Sequence, residues 1–179
     1  MPEQLILVNE KDEPVGFQEK LKAHQLGQLH RAFSIFVFNP AGQLMLQKRA
    51  LGKYHCGGLW SNTCCGHPRP KEELSEAVHR RLQEEMGFDC VLNDVFEFVY
   101  RVKFANGLWE HEYVHIFFGQ YDKEPIINPE EADDWKWIDL EELKKDIKLN
   151  PERYTYWFKK ELAHSEFDSC AKNIKLKNR

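Results

Sequence analysis

The chain has 179 residues, 42% apolar and 30% charged, with no shift in composition along its length, so one domain over residues 1–179 with an ample core is expected. With 29 acidic against 25 basic residues the net charge is -4, which lacks the broad positive field of nucleic-acid and membrane-surface proteins, so no partner of either kind is expected. The opening MPEQLILVNEKDEP has no basic n-region and no export-length apolar run. Nothing approaches a membrane span, and the five cysteines lack secreted-type spacing, so reduced thiols in the cytoplasm are expected.

In chain order, LILV, NEKDEP and VGF read as strand, turn and strand, with residues 20–31 a loop or short helix. Residues 32–38 and 43–49 form a hairpin around NPAG. After the loop GGLWSNTCCGHPRP, residues 71–86 place Leu74, Ala77, Val78, Leu82 and Met86 on one helical stripe closed by Gly87. A second hairpin spans 95–104 and 109–121 around Asn106-Gly107, and 135–138 reads as a short strand. Asp139 caps a helix from Leu140, with Glu142 at the capping-box position. Asn150-Pro151 then opens a last helix carrying Tyr154, Trp157, Phe158 and Leu162, and the basic residues 172–179 read as a solvated terminus.

Several charges fall where a core belongs. At 100° per residue, Arg81 and Glu85 lie inside the apolar arc of the 71–86 helix, where a pair is costly to desolvate without further partners. Two readings stand: an i,i+4 bridge at the edge of the stripe, or an anion or metal site against the sheet. Glu72 and Glu84 fall off the stripe and read as solvent-facing. Period two on residues 109–118 points Glu110 and Glu112 the same way as Val114, Ile116 and Phe118, about 6.5–7 Å apart. They either share a cation or a proton, or they line an open barrel end. His24, His30 and His67 lie in or beside loops, and with those carboxylates would make a nitrogen and oxygen donor set for manganese, magnesium or zinc. A structural zinc on Cys56, Cys64, Cys65 and His67 competes, without any Cys-x-x-Cys pair. The run KRALGK, residues 48–53, is a basic patch that with Arg81 would grip phosphate oxygens.

Residues 66–88, GHPRPKEELSEAVHRRLQEEMGF, resemble the Nudix box: Gly66, Glu72, Arg80, Leu82, Glu84, Glu85, Gly87 and Phe88 stand at its positions. Arg81 replaces the carboxylate that Nudix hydrolases carry beside their metal. The resemblance implies an α/β fold, an α/β/α sandwich with a mixed central sheet. With TCCGHP, the strand motif WEHE and the late YWF, nearly the whole chain resembles the type 1 isopentenyl-diphosphate delta-isomerases, a Nudix branch of isoprenoid biosynthesis. Its members convert isopentenyl diphosphate to dimethylallyl diphosphate, which implies a small isoprenoid diphosphate as substrate.

Residue by residue, that resemblance makes Cys65 the catalytic cysteine and Glu112 the catalytic glutamate, with Tyr100 beside it and Cys64 only preceding the motif. His24, His30, His67, Glu110 and Glu112 match the divalent-metal ligands, and Glu85 matches a ligand of a second metal, Mg2+, that arrives with the diphosphate. Lys20, Arg49, Lys53 and Arg81 match the diphosphate-contacting cations, and Trp157 lies beside the reacting carbons. Moving an unactivated double bond requires a proton added at one carbon and another removed elsewhere, so two proton-handling groups must flank the chain of carbons. Glu112, assisted by Tyr100, is expected to deliver the proton and Cys65 to take one. Trp60 and Trp157 offer indole faces to the cationic centre, although Trp60 suits core packing as well. The alternative activity is a Nudix pyrophosphohydrolase, for which Arg81 is the wrong residue and Cys65 has no use.

Overall fold

The computed structural model of the protein describes residues 2–53 and 55–176. Strand β1 (Gln4–Val8) pairs antiparallel with β2 (Pro14–Glu19). The Glu19 carboxylate then caps α1 (Lys20–Leu26) by accepting from the Leu21 and Lys22 amides. Strand β3 (His30–Phe38) is the spine, because its near-continuous apolar run suits a strand covered on both faces. It runs parallel to β8 (Trp109–Gln120) from His30 opposite Glu112 to Phe38 opposite Gln120. Its other edge is shared in turn by β1, β6 (Cys64–Gly66) and β4 (Leu44–Arg49). β5 (Trp60–Ser61) and β9 (Ala132–Ile138) extend β4, and β7 (Leu92–Lys103) covers β8, completing a mixed sheet.

Alternation along β3 sorts the two halves of the core. Phe33, Ile35 and Val37 face α2 (Leu74–Met86), packing with Ala77, Val78, Leu82 and Met86. Ala32, Phe36 and Phe38 face the opposite layer of α3 (Leu140–Leu149), α4 (Tyr156–Leu162) and α5 (Phe167–Leu176). Each fully buried Phe of this kind is worth roughly 1.5–3 kcal/mol, so the sandwich holds itself together through these two apolar faces. Among the described residues no helix is long and apolar enough to cross a membrane.

The hairpin around NPAG closes at Phe38 and Leu44, and its strands then part to admit β6. Thr63 satisfies both edges where they diverge: its hydroxyl accepts from the Val37 amide at 2.9 Å and donates to the Met45 carbonyl at 2.7 Å. The segment SNTCC is thus a wedge between two central strands.

Three expectations change. The box helix begins at Leu74 rather than at residue 71, because Lys71 has a left-handed φ of 68° and Glu72 turns back to accept from the Arg69 amide at 2.7 Å. Glu72 is also not plainly solvent-facing, since Arg80 grips its carboxylate through two nitrogens at 2.5 and 2.8 Å. The single last helix is a 3-10 turn over Pro151–Arg153, an extended Tyr154, α4, and then an unanticipated α5. Backbone pairing breaks it: Tyr154 bridges to Trp60, and the Thr155 amide donates to the Trp60 carbonyl at 3.0 Å. Residues 177–179 of the basic tail lie outside the described residues.

Candidate active site

Three histidines from three places meet at one end of the sheet. His24 comes from α1, His30 opens β3, and His67 follows β6, with ring centroids 5.0 to 6.1 Å apart. One ligand atom from each lies within 4.8 Å of the others, and His30, Glu110 and Glu112 form a second such group. The tautomers are set from behind. His24 Nδ1 lies 2.6 Å from the Lys20 carbonyl and His30 Nδ1 2.9 Å from the Gln28 carbonyl, so each Nδ1–H donates and each Nε2 lone pair faces inward.

Those lone pairs face carboxylates, not donors. His24 Nε2 is 3.2 Å from Glu110 Oε2, His30 Nε2 is 3.7 Å from Glu112 Oε1, and His67 Nε2 is 3.1 Å from the same oxygen. His30 Nε2 and Glu110 Oε2 are buried without a hydrogen-bond partner. Burial pushes the His67 imidazole down to about 4, which keeps it neutral. Neutral imidazole beside ionised carboxylate is the ligand form of both groups, so three nitrogens and two carboxylates fit a divalent cation. No cysteine belongs to any such ligand group among the described residues, which corrects the structural-zinc alternative. The physical reason is strand alternation: Cys64 turns into the α2 side of the core and Cys65 packs on the opposite side.

Period two also places Cys65 on the same side as His67, one two-residue step of about 6.5–7 Å along the chain. His67 touches Glu112, and the Glu112 charge acts on the Cys65 thiol, so thiol and carboxylate lie on one side of the sheet. The Tyr100 hydroxyl donates to Glu112 Oε2 at 2.6 Å from the facing position on β7. Burial and the Glu112 charge raise the Tyr100 phenol well above its usual range, so it stays a donor, and burial pushes the Cys65 thiol up to about 12. Trp157 is fixed by its indole N–H, which donates to Ser61 Oγ at 3.0 Å, and Arg49 stacks 5.2 Å from its ring. Trp60 is core, with Lys136 4.5 Å from its outer ring face.

The inward pair on α2 is real and has the extra partners that burial demands. Arg81 donates to Glu85 and to Glu84 and lies 3.3 Å from Glu131, while Glu85 also accepts from Gln47 at 2.8 Å. Gly66 permits this, since a Cβ there would come within 3.1 Å of the Phe33 ring and 3.3 Å of the Arg81 side chain. Lys53 also binds Glu131, so two of the four cations converge on one carboxylate. Arg49 is nearly buried with its Nε unpartnered, and Lys20 donates to Glu3 at 2.9 Å.

Two groups escaped the sequence reading. His55 Nε2–H donates to the Glu110 carboxylate at 2.6 Å, and its ring packs 5.5 Å from Trp157, from a loop whose sequence has no periodicity to flag it. Glu161 is fully buried and accepts from Ser34 at 2.6 Å. It falls four residues after Trp157, on the apolar stripe of α4, so the angular test that flagged Glu85 applies to it as well.

A mixed sheet between two helical layers, with a Glu-rich helix feeding Arg81 and Glu85 toward a histidine and carboxylate cluster, defines a NUDIX domain, and the model of that domain matches residues 28–158. The crystal structure of DR0079 from Deinococcus radiodurans shares the fold at a TM-score of 0.71 and 22% identity, covering 96% of this chain and 98% of its own. A protein of Aromatoleum aromaticum named isopentenyl-diphosphate Delta-isomerase 2 is 61% identical over 88% of this chain and 83% of its own length. One of the same name from Photorhabdus laumondii is 56% identical over 89% and 90%. The chain belongs to the isopentenyl-diphosphate Delta-isomerase family.

Proposed function

We infer that the chain moves the carbon-carbon double bond of isopentenyl diphosphate to give dimethylallyl diphosphate. Its relatives carry that activity in their names, and the observation that carries the reading in this chain is the presence of two proton-handling groups on one side of the sheet. Cys65 and the Tyr100–Glu112 pair project from the same side of the sheet, and Glu112 is hydrogen-bonded by Tyr100 at 2.6 Å. A hydrolase has no use for that thiol and needs a carboxylate where Arg81 stands.

The residues divide the work. Glu112 in its acid form, hydrogen-bonded by Tyr100, delivers a proton to the terminal alkene carbon, and Cys65 as thiolate takes one from the carbon nearer the diphosphate, an S–H bond forming as the C–H bond breaks, with the roles exchanged in reverse. The indole of Trp157 faces the cationic centre and, with its apolar surroundings, keeps water from trapping it as an alcohol. His24, His30, His67, Glu110 and Glu112 would hold a divalent ion (Mn2+, Mg2+ or Zn2+), and Glu85 a second Mg2+ brought by the diphosphate, which together neutralise the carboxylates and the phosphate charge. Arg81, Lys53, Arg49 and Lys20 supply the cations for the diphosphate; the unpartnered Arg49 Nε supports this role, and Arg81 and Lys53 would exchange Glu131 for phosphate oxygens. The test is product identification by proton NMR alongside a phosphate-release assay. Dimethylallyl diphosphate without phosphate is expected, and phosphate or pyrophosphate release without a dimethylallyl signal overturns the reading.

A further inference from the structure

The indole of Trp157 is held by a buried polar network to which the roles above assign no work. Trp157 is buried, and Arg49 and His55 pack against its ring at 5.2 and 5.5 Å. Packing alone leaves the outer torsion of such a side chain broadly distributed, whereas a directed bond fixes it. That bond comes from the one polar atom of the ring, since Nε1–H donates to Ser61 Oγ at 3.0 Å. Ser61, Asn62 and Thr155 are each 0% exposed, so their polar atoms must find partners inside the protein. A serine hydroxyl offers one proton and two lone pairs. Ser61 donates to Asn62 Oδ1 at 2.8 Å, and its lone pairs are left for the indole and for the Thr155 hydroxyl 3.0 Å away. Its capacity is then full. Asn62 is oriented in turn, because its Nδ2 donates to the Cys64 carbonyl at 2.7 Å and to the Ile35 carbonyl at 3.3 Å. The Cys64 carbonyl belongs to the peptide bond that leads into Cys65. An unbroken chain of directed bonds therefore runs from the Trp157 ring to the backbone that carries Cys65.

We propose that Ser61 is a positioning residue for the isomerisation: it sets the orientation of the Trp157 indole and, through Asn62, registers that ring against Cys65, so that the ring face meets the positive charge developing on the branched carbon. Orientation matters because the ring quadrupole attracts a cation over its face, within about 6 Å of the centroid, and presents a positive edge. The uncharged alkene of substrate or product loses little when the ring turns, so the contact is made chiefly in the transition state. Removing the Ser61 hydroxyl strands the indole N–H and the Asn62 oxygen together in a buried place, and the ring then turns to satisfy its donor elsewhere. Ser61 does not touch the substrate and acts only through Trp157.

The proposal rests on the isomerase reading, and the experiment keeps their failures apart. Wild type and Ser61→Ala are assayed for turnover of isopentenyl diphosphate and for inhibition by two saturated diphosphates of the same shape, one with a tertiary ammonium at the branched centre and one with carbon there. Both inhibitors present the same diphosphate, so the ratio of their inhibition constants isolates the charge at that centre. The carboxylates are common to both proteins, so a change in the ratio reports the indole. Ser61→Ala is expected to lower kcat by about tenfold with KM unchanged, and to lower the preference for the ammonium by about fivefold or more. Ser61→Cys keeps the shape of the side chain with a weaker acceptor; it should lower the preference by a smaller factor, and it decides the matter if the alanine variant fails to fold. In a Trp157→Phe background, which has no ring N–H, Ser61→Ala should change the preference by less than about twofold, because the bond it removes is already gone. A preference equal to wild type in the Ser61 variants, or an equal fall in the Phe background, overturns the proposal and makes Ser61 a packing residue only. Absence of dimethylallyl diphosphate from the wild-type reaction is a different failure, that of the isomerase reading itself.

Discussion

Replacing Glu161 by Gln removes an ionisable group whose folded-state value is about 8 against an ordinary 4.5, a gap set first by burial. A carboxyl raised in this way holds its proton in the folded chain while the unfolded chain releases it, so wild-type stability falls as pH climbs through that window. At 1.36 kcal/mol per unit, the 3.5-unit gap corresponds to a loss of about 5 kcal/mol, absent below pH 4.5 and complete above pH 8. Gln keeps an oxygen for Ser34 but buries an amide without an acceptor, which costs about 1–3 kcal/mol at every pH. The variant should therefore be the less stable protein at pH 4.5 and the more stable one at pH 8.5. Urea unfolding followed by tryptophan fluorescence at several pH values measures this, and taking the difference between the two proteins cancels the titrating groups that do not interact with Glu161. The difference should change by several kcal/mol and reverse sign; parallel stability curves would refute a neutral buried carboxyl at this position.

Cys65→Ala and Glu112→Gln should each lower kcat by about a thousandfold or more, whereas Cys64→Ala, altering a residue in the opposite core, should retain most activity; steady-state assays decide, and a Cys64 variant as inactive as the Cys65 one would move the chemistry to the other sulfur. His67→Ala should cut divalent-metal occupancy measured by elemental analysis, with affinity lower by at least about tenfold, while Tyr100→Phe leaves it unchanged. Arg81→Leu strands the buried Glu85 and should cost roughly 3 kcal/mol in denaturant unfolding, as well as raising KM for the diphosphate.

The parts of this molecule governed by a short period were legible in its sequence. Leu74, Ala77, Val78, Leu82 and Met86 mark α2 by helical spacing, and the same geometry exposes Arg81 and Glu85 as inward. Glu110 and Glu112 were legible for the matching reason on a strand. The family's motifs added what spacing alone leaves open, separating Cys65 from Cys64 and gathering three histidines from distant loops. Long-range backbone pairing stayed hidden. Nothing local in NPERYTYWF announces that Tyr154 will be drawn out to bridge Trp60, so the helix boundary was missed and α5 with it. His55 was hidden for a related reason, since its role depends on a loop folding back onto Glu110 and Trp157. The wedge formed by Thr63 likewise exists only because β3 and β4 part, a tertiary fact invisible in a hairpin signal.

The central claim is that Glu112 and Cys65 move protons on two carbons while the diphosphate stays intact. Its most direct measurement is the fate of isopentenyl diphosphate in deuterated water with the wild-type protein. Dimethylallyl diphosphate carrying deuterium in the methyl group formed from the terminal carbon, lost in both Cys65→Ala and Glu112→Gln, is the predicted result; release of phosphate or pyrophosphate with no deuterated product would contradict it.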